Sequence, residues 1–143
     1  MIKTILLVDD ERLFHLVFEE ACSLLDIALN LESIDSVDKA EALFQAWVEN
    51  PASRPECVFV DLNIIGSAYD GIELVRKINE DYGNGVVIGI ISSSADPTEQ
   101  RRAQNVGVQF WIVKTDEIEP RLEQFRNDYE GYRLKTAPFR VYK

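Results

Sequence analysis

Residues 5–11 read ILLVDDE, a continuous apolar run that ends abruptly on acidic side chains. The same pattern returns at residues 57–63, CVFVDLN, where four apolar residues lead directly to Asp61. Short runs that are apolar at nearly every position are typical of strands covered on both faces of a parallel sheet. These two segments therefore predict two central strands, each ending on acid.

Segments with helical periodicity separate the apolar runs. After the first run, for example, apolar residues recur at spacings of three and four from Phe14 to Leu25. Because each pair of parallel strands needs a crossover, usually a helix, this alternation predicts a doubly wound α/β domain. The predicted sheet has five parallel strands in a (βα)₅ arrangement, at residues 5–8, 28–34, 57–60, 86–91 and 110–113.

Composition limits the classes of protein that fit. The chain has 143 residues, 46% hydrophobic and 28% charged, as expected for one globular domain. The two cysteines, Cys22 and Cys57, lie in apolar stretches and are predicted to be reduced core residues. No apolar stretch is long enough for membrane insertion and no secretory signal is evident, so a cytoplasmic location is expected. The net charge of −10 argues against direct nucleic-acid binding.

The last ten residues differ from the rest of the chain. From Gly131 to Lys143 there are four basic residues and no acid, in contrast to the acidic body. We expect a domain at residues 1–133 and a short basic tail at 134–143. The tail is either disordered or docked on the acidic body or a partner, and the alternating FRVYK sequence suits addition of a strand to a sheet edge.

Chemically distinctive side chains follow four of the predicted strands. They are Asp9 and Asp10, Asp61, Ser92 and Lys114. Because the carboxyl ends of parallel strands meet at one edge of the sheet, these side chains should converge there. Three neighbouring carboxylates need neutralisation, and Mg²⁺ suits such an oxygen-rich site. The set fits phosphoryl transfer, with Asp61 as nucleophile, Lys114 as counter-charge and Ser92 as hydroxyl donor.

The strings LLVDDE, VFVDLN, IISSS and FWIVKT, in this order, resemble the motif regions of response-regulator receiver domains. The resemblance covers about residues 3 to 130 and implies the flavodoxin-like receiver fold, as a stand-alone receiver of two-component signal transduction. It also implies a Mg²⁺ site in which Asp10 and Asp61 bind the metal, Asp9 acts through water, and Asn63 supplies its backbone carbonyl. Ser92 would sense the phosphoryl group, and Trp111 would change rotamer with it.

The function implied by this resemblance is a phosphorylation-dependent switch rather than a metabolic enzyme. A sensor histidine kinase or a phosphotransfer protein would phosphorylate Asp61, and a downstream protein would bind the helix 4–strand 5–helix 5 face. The resemblance is also compatible with a homodimer. The alternative is a receiver-like interaction module that does not depend on phosphorylation. A hydrolase with an Asp nucleophile is disfavoured by Asn63, where that class has an acid. An FMN-binding module is disfavoured by the acidic loop after strand 1.

Three positions depart from the family pattern. Lys114 is followed by Thr115, where the family usually has proline, often with a cis peptide bond. The loop after Asp61 looks two residues longer than usual, with Ile65 in place of a common proline. Ser93 occupies a position usually taken by a very small residue. None of these changes removes a group needed for the chemistry. We expect them to affect the reaction rates or the choice of partner.

Overall fold

One sheet of six parallel strands forms the centre of the computed structural model, which describes residues 2–64, 70–81 and 85–143. The strands are β1 Ile2–Val8, β2 Ala28–Ile34, β3 Cys57–Asp61, β4 Val87–Ser92, β5 Phe110–Val113 and β6 Arg140–Tyr142. The helices are α1 Arg12–Leu25, α2 Val37–Glu49, α3 Gly71–Asp81, α4 Pro97–Asn105 and α5 Glu119–Arg133, with a 3₁₀ turn at Pro51–Ser53.

The strand order is β2-β1-β3-β4-β5-β6, so the winding direction reverses between β1 and β3. The helices lie on both faces: α1 and α5 pack on one buried cluster, and α2, α3 and α4 pack on the other. In a doubly wound sheet the ligand crevice lies at the carboxyl ends of the strands beside such a reversal. The topology therefore places the ends of β1 and β3 side by side at the expected binding edge.

Local sequence explains where several helices begin and end. The Ser36 hydroxyl accepts a hydrogen bond from the Lys39 N–H (3.2 Å) at the start of α2, and the Asp96 carboxylate accepts one from the Thr98 N–H (3.0 Å) at the start of α4. After α4 the chain turns at Gly107, whose φ of +97° is readily adopted only by glycine. Gly107 follows a polar helical segment in the sequence and is the kind of residue that ends a helix, and α4 ends at Asn105, just before it.

The predicted α/β fold with a parallel five-stranded core is confirmed. Cys22 and Cys57 are buried and unpaired, as expected of core residues. The sequence Gly83-Asn84-Gly85 predicts a turn after α3, and its first two residues lie outside the described residues. Within those residues, no helix is both long and apolar enough to cross a bilayer.

The tail adds the sixth strand, β6, which pairs in parallel with β5. Tyr142 is buried, and its hydroxyl lies 2.7 Å from that of Tyr132 and 2.7 Å from an Asp128 carboxylate oxygen on α5. Arg140 forms an ion pair with the same Asp128 (3.0 Å). Of the alternatives left open for the tail, the structure shows docking on the chain's own sheet edge. The division at residue 133 stays a prediction.

Candidate functional site

Three carboxylates meet at the edge of the sheet where β1 and β3 end. Asp9 and Asp10 follow β1, and Asp61 is the last residue of β3, the strand beside it. One carboxylate oxygen from each residue lies within 4.8 Å of the others. The convergence predicted from the strand ends is therefore present in the structure.

Asp9 is fully buried, and its two carboxylate oxygens have different surroundings. Oδ1 accepts a hydrogen bond from the Glu11 N–H at 2.8 Å. Oδ2 forms an ion pair with Lys114 Nζ at 2.8 Å. Burial raises the pKa of Asp9 above its ordinary value, against the opposing effects of Lys114 and the Glu11 N–H. Asp9 Oδ2 is therefore held by the Lys114 ammonium group, and a cation bound at this site would compete with the lysine for it.

Asp61 is also buried, and its environment disfavours the ionised form. Burial, and next the charge of Asp9, raise the pKa of Asp61 to about 7, although Lys114 and a hydrogen bond from the Asn63 backbone act in the opposite direction. The Gly71 backbone N–H donates to the Leu62 carbonyl (2.8 Å) behind this residue. A Cβ at Gly71 would come within 2.1 Å of the Asp61 carbonyl oxygen, so only glycine fits there.

Lys114 follows β5 and reaches back across the site. Its Nζ lies 2.8 Å from Asp9 Oδ2, 3.6 Å from Glu11 Oε2 and 4.0 Å from Asp61 Oδ2. Burial alone would lower the pKa of Lys114, but the contact with Asp9 and the charge of Asp61 outweigh it, so the pKa is raised. Lys114 therefore stays protonated and provides positive charge beside three carboxylates.

Ser92 and Trp111 are connected through Ser94. The Ser94 N–H donates to the Ser92 hydroxyl (3.1 Å), and the Ser94 carbonyl accepts a hydrogen bond from the Trp111 indole N–H (2.9 Å). Ser92 and Trp111 are both buried. The predicted hydroxyl residue and the predicted aromatic switch residue thus share one hydrogen-bonded loop residue.

The donor set fits a hard divalent cation. It consists of carboxylate oxygens from Asp9, Asp10 and Asp61, which lie within 4.8 Å of one another. Oxygen ligands with excess negative charge suit Mg²⁺, which binds a few carboxylates and keeps several waters. The Asn63 backbone N–H donates a hydrogen bond to the Asp61 carboxylate, and the Asn63 carbonyl stays a predicted further ligand.

Three neighbours of the site were given no role from sequence. Glu11 contacts Lys114, His15 Nε2 lies 2.5 Å from the Asp9 carbonyl oxygen, and the Phe14 ring centroid lies 4.5 Å from Lys114 Nζ. These residues belong to the first turn of α1 and the position before it. Only the fold brings this turn against the end of β5, so no local pattern marks Glu11 and Phe14 as neighbours of Lys114.

The departures from the family pattern can be located in part. Among the described residues every peptide bond is trans, including Lys114–Thr115, and the Thr115 hydroxyl accepts a hydrogen bond from Arg121 on α5 (3.0 Å). Ser93 is exposed. Ile65 and the predicted loop extension lie outside the described residues.

One family model covers most of the chain. The family model for the response regulator receiver domain matches residues 5–123. No curated protein sequence matches the chain.

Solved structures match over nearly the whole chain. The phosphorylated cyanobacterial phytochrome response regulator RcpA is 23% identical, with 96% of this chain and 97% of that chain covered and a TM-score of 0.71. The Mn²⁺-bound form of response regulator Rcp1 is 22% identical, with coverages of 94% and 96% and a TM-score of 0.70. A two-component response regulator from Cytophaga hutchinsonii is 19% identical, with coverages of 91% and 98% and a TM-score of 0.78. At these identities the likeness shows a shared fold.

Proposed function

This chain belongs to the response regulator receiver domain family, and on that premise we propose that it is a Mg²⁺-dependent switch phosphorylated on Asp61. Receiver domains are signalling proteins that interact with histidine kinases or phosphotransfer proteins. The observation that carries the proposal is the convergence of Asp9, Asp10 and Asp61 with Lys114 at the ends of β1, β3 and β5. Structures similar to this chain are described as phosphorylated, for RcpA, and as Mn²⁺-bound, for Rcp1.

The raised pKa of Asp61 explains why the chemistry needs a cation. A nucleophilic carboxylate must be ionised, yet with a pKa of about 7 much of Asp61 is protonated at neutral pH. Mg²⁺ supplies positive charge that favours the ionised carboxylate and neutralises oxygens of the transferred phosphoryl group. In this proposal Asp10 and Asp61 bind the metal directly, Asp9 acts through water and Asn63 offers its carbonyl.

The remaining groups act on the phosphoryl group itself. An Asp61 carboxylate oxygen attacks the phosphorus of a phosphohistidine or a small phosphodonor. The new P–O bond forms as the bond to the donor breaks. Lys114 compensates the charge on the phosphoryl oxygens, and the Ser92 hydroxyl donates a hydrogen bond to one of them. Lys114 Nζ lies 4.0 Å from Asp61 Oδ2, close enough to compensate the charge of a phosphoryl group carried by that carboxylate.

The signal would leave the site through Ser94. A Ser92 hydroxyl engaged with a phosphoryl oxygen changes its hydrogen bond with Ser94, whose carbonyl holds the Trp111 indole. Phosphorylation would thereby bias Trp111 and the loop before α4 between two arrangements. The partner would read this on the α4–β5–α5 face, where β6 now pairs with the outer edge of β5. A homodimer and a cytoplasmic location are further parts of the proposal.

One experiment separates this function from a phosphorylation-independent interaction module. The protein is incubated with Mg²⁺ and acetyl phosphate, and intact mass is followed together with Trp111 fluorescence in a Trp47→Phe background. We expect a gain of about 80 Da, the increment of one phosphoryl group, that requires Mg²⁺ and is lost in Asp61→Asn. Beryllium fluoride should change Trp111 fluorescence in the same Mg²⁺-dependent way. No response of the wild-type protein to either reagent would favour the alternative module.

A further inference from the structure

Among the described residues, four side chains contact or lie near Lys114 Nζ, and three of them are carboxylates. Asp9, Glu11 and Asp61 lie 2.8, 3.6 and 4.0 Å from its Nζ. Asp9 and Asp61 also belong to the cluster that fits a metal ion. A cation bound there competes with Lys114 for the same oxygens, so these contacts weaken at the moment when the lysine is needed.

The fourth neighbour is the ring of Phe14, over which Nζ lies 4.5 Å from the centroid. An ammonium group within about 6 Å of an aromatic centroid is attracted by the electron-rich face of the ring. The attraction is stronger where water is excluded, and the Lys114 side chain is only 12% exposed. The ring carries no charge and coordinates no metal, so a bound cation or phosphoryl group does not compete for it.

The Phe14 ring packs against the aromatic core of the domain. It is buried, and its centroid lies 6.1 Å from that of Phe18, which in turn packs edge-on against Phe59 at 5.0 Å. Phe59 lies on β3, two residues before Asp61. Since close-packed aromatic side chains move little, the ring face keeps its place relative to the end of β3.

We propose that Phe14 is a positioning residue that holds the Lys114 ammonium group at the phosphoryl site when the carboxylates engage a metal ion. The inference rests on the proposed function, because positioning matters only if Asp61 accepts a phosphoryl group. Phe14 does not touch the reacting atoms and acts through Lys114 alone. Its contribution should therefore appear in phosphoryl-analogue binding and leave metal binding largely unchanged.

The test compares Phe14→Leu with two further variants. Phe14→Tyr keeps the ring face, and Phe18→Leu removes a ring of the same buried cluster that lies farther along α1 from the lysine. Mg²⁺ affinity and, at saturating Mg²⁺, beryllium fluoride affinity are measured by Trp111 fluorescence in the Trp47→Phe background. Thermal unfolding reports how far each variant is destabilised. A two-dimensional NMR spectrum of specifically labelled lysine reports the ε-CH₂ protons of Lys114, which a ring face shifts upfield.

We expect Phe14→Leu to weaken beryllium fluoride binding about three- to tenfold, the range of a partly desolvated cation–π contact. Mg²⁺ affinity should change by less than about twofold, and the upfield shift of the Lys114 protons should disappear. Phe14→Tyr should restore both properties. Phe18→Leu should lower thermal stability and leave beryllium fluoride affinity close to wild type.

Equal beryllium fluoride affinities in Phe14→Leu and Phe18→Leu would overturn the positioning role, as would wild-type Lys114 protons without an upfield shift. These outcomes leave the proposed function intact if the wild-type protein binds beryllium fluoride with Mg²⁺. A wild-type protein that binds Mg²⁺ but no beryllium fluoride contradicts the proposed function and the positioning role together. The wild-type titration thus distinguishes the two failures.

Discussion

The ionised carboxylate of Asp61 destabilises the metal-free protein. Replacing Asp61 with asparagine should therefore raise the free energy of unfolding at alkaline pH. Burial and the charge of Asp9 raise the Asp61 pKa from an ordinary 3.8 to about 7. A carboxyl with a raised pKa binds its proton more tightly in the folded state. The stability contributed by this tightly bound proton is complete below pH 3.8 and is lost as the pH rises through about 7. A difference of this size corresponds to about 4 kcal/mol in the free energy of unfolding.

The assay is urea unfolding of wild type and Asp61→Asn in the presence of a chelator, at pH 5 and at pH 8. Asparagine carries no charge at either pH, so the stability advantage of the variant should grow by about 2.5 kcal/mol between pH 5 and pH 8, the part of the total change that falls in this interval. Added Mg²⁺ should stabilise the wild-type protein and so reduce the difference in free energy of unfolding between wild type and Asp61→Asn. Glu49→Gln removes a negative charge from an exposed residue and controls for net charge. An Asp61→Asn protein that is no more stable than wild type at pH 8 would refute the reasoning.

Three further outcomes are expected. Gly71→Ala should lower the free energy of unfolding, measured with urea, by about 1–3 kcal/mol, because the alanine Cβ would meet the Asp61 carbonyl oxygen. The same variant should be phosphorylated more slowly, as followed by intact mass, and an unchanged rate would contradict this. Deleting residues 134–143 should lower the free energy of unfolding in urea by about 3 kcal/mol, because β6 and the buried Tyr142 are lost. Unchanged stability would show that the tail does not dock in solution. Ser92→Ala should abolish the change in Trp111 fluorescence with beryllium fluoride and Mg²⁺ in the Trp47→Phe background; a full response would exclude the Ser92–Ser94 connection.

The sequence was sufficient to predict the sheet and the acidic site because both depend on short patterns. Residues 57–61 are apolar up to the acid, and the structure makes them a fully buried strand ending at Asp61. Once the strands are parallel, their ends must share one edge, so the meeting of Asp9, Asp10 and Asp61 follows from topology alone.

Contacts between distant segments could not be read in the same way. The contact of Phe14 with Lys114 joins positions 100 residues apart and depends on where the first turn of α1 lies relative to the end of β5. The tail shows the same limit. Its alternating FRVYK sequence suited an edge strand, but the choice between disorder, a partner and its own sheet depended on Asp128 and Tyr132 of α5, which receive Arg140 and Tyr142.

Phosphorylation of Asp61 is tested most directly by locating the modified residue. The protein is incubated with acetyl phosphate and Mg²⁺, reduced with borohydride, which converts an aspartyl phosphate to homoserine, and digested for peptide mass spectrometry. We predict homoserine at position 61 in the presence of Mg²⁺, and aspartate there when a chelator replaces the metal. Homoserine at Asp9 or Asp10, or an unmodified residue 61 under all conditions, would contradict the proposed switch.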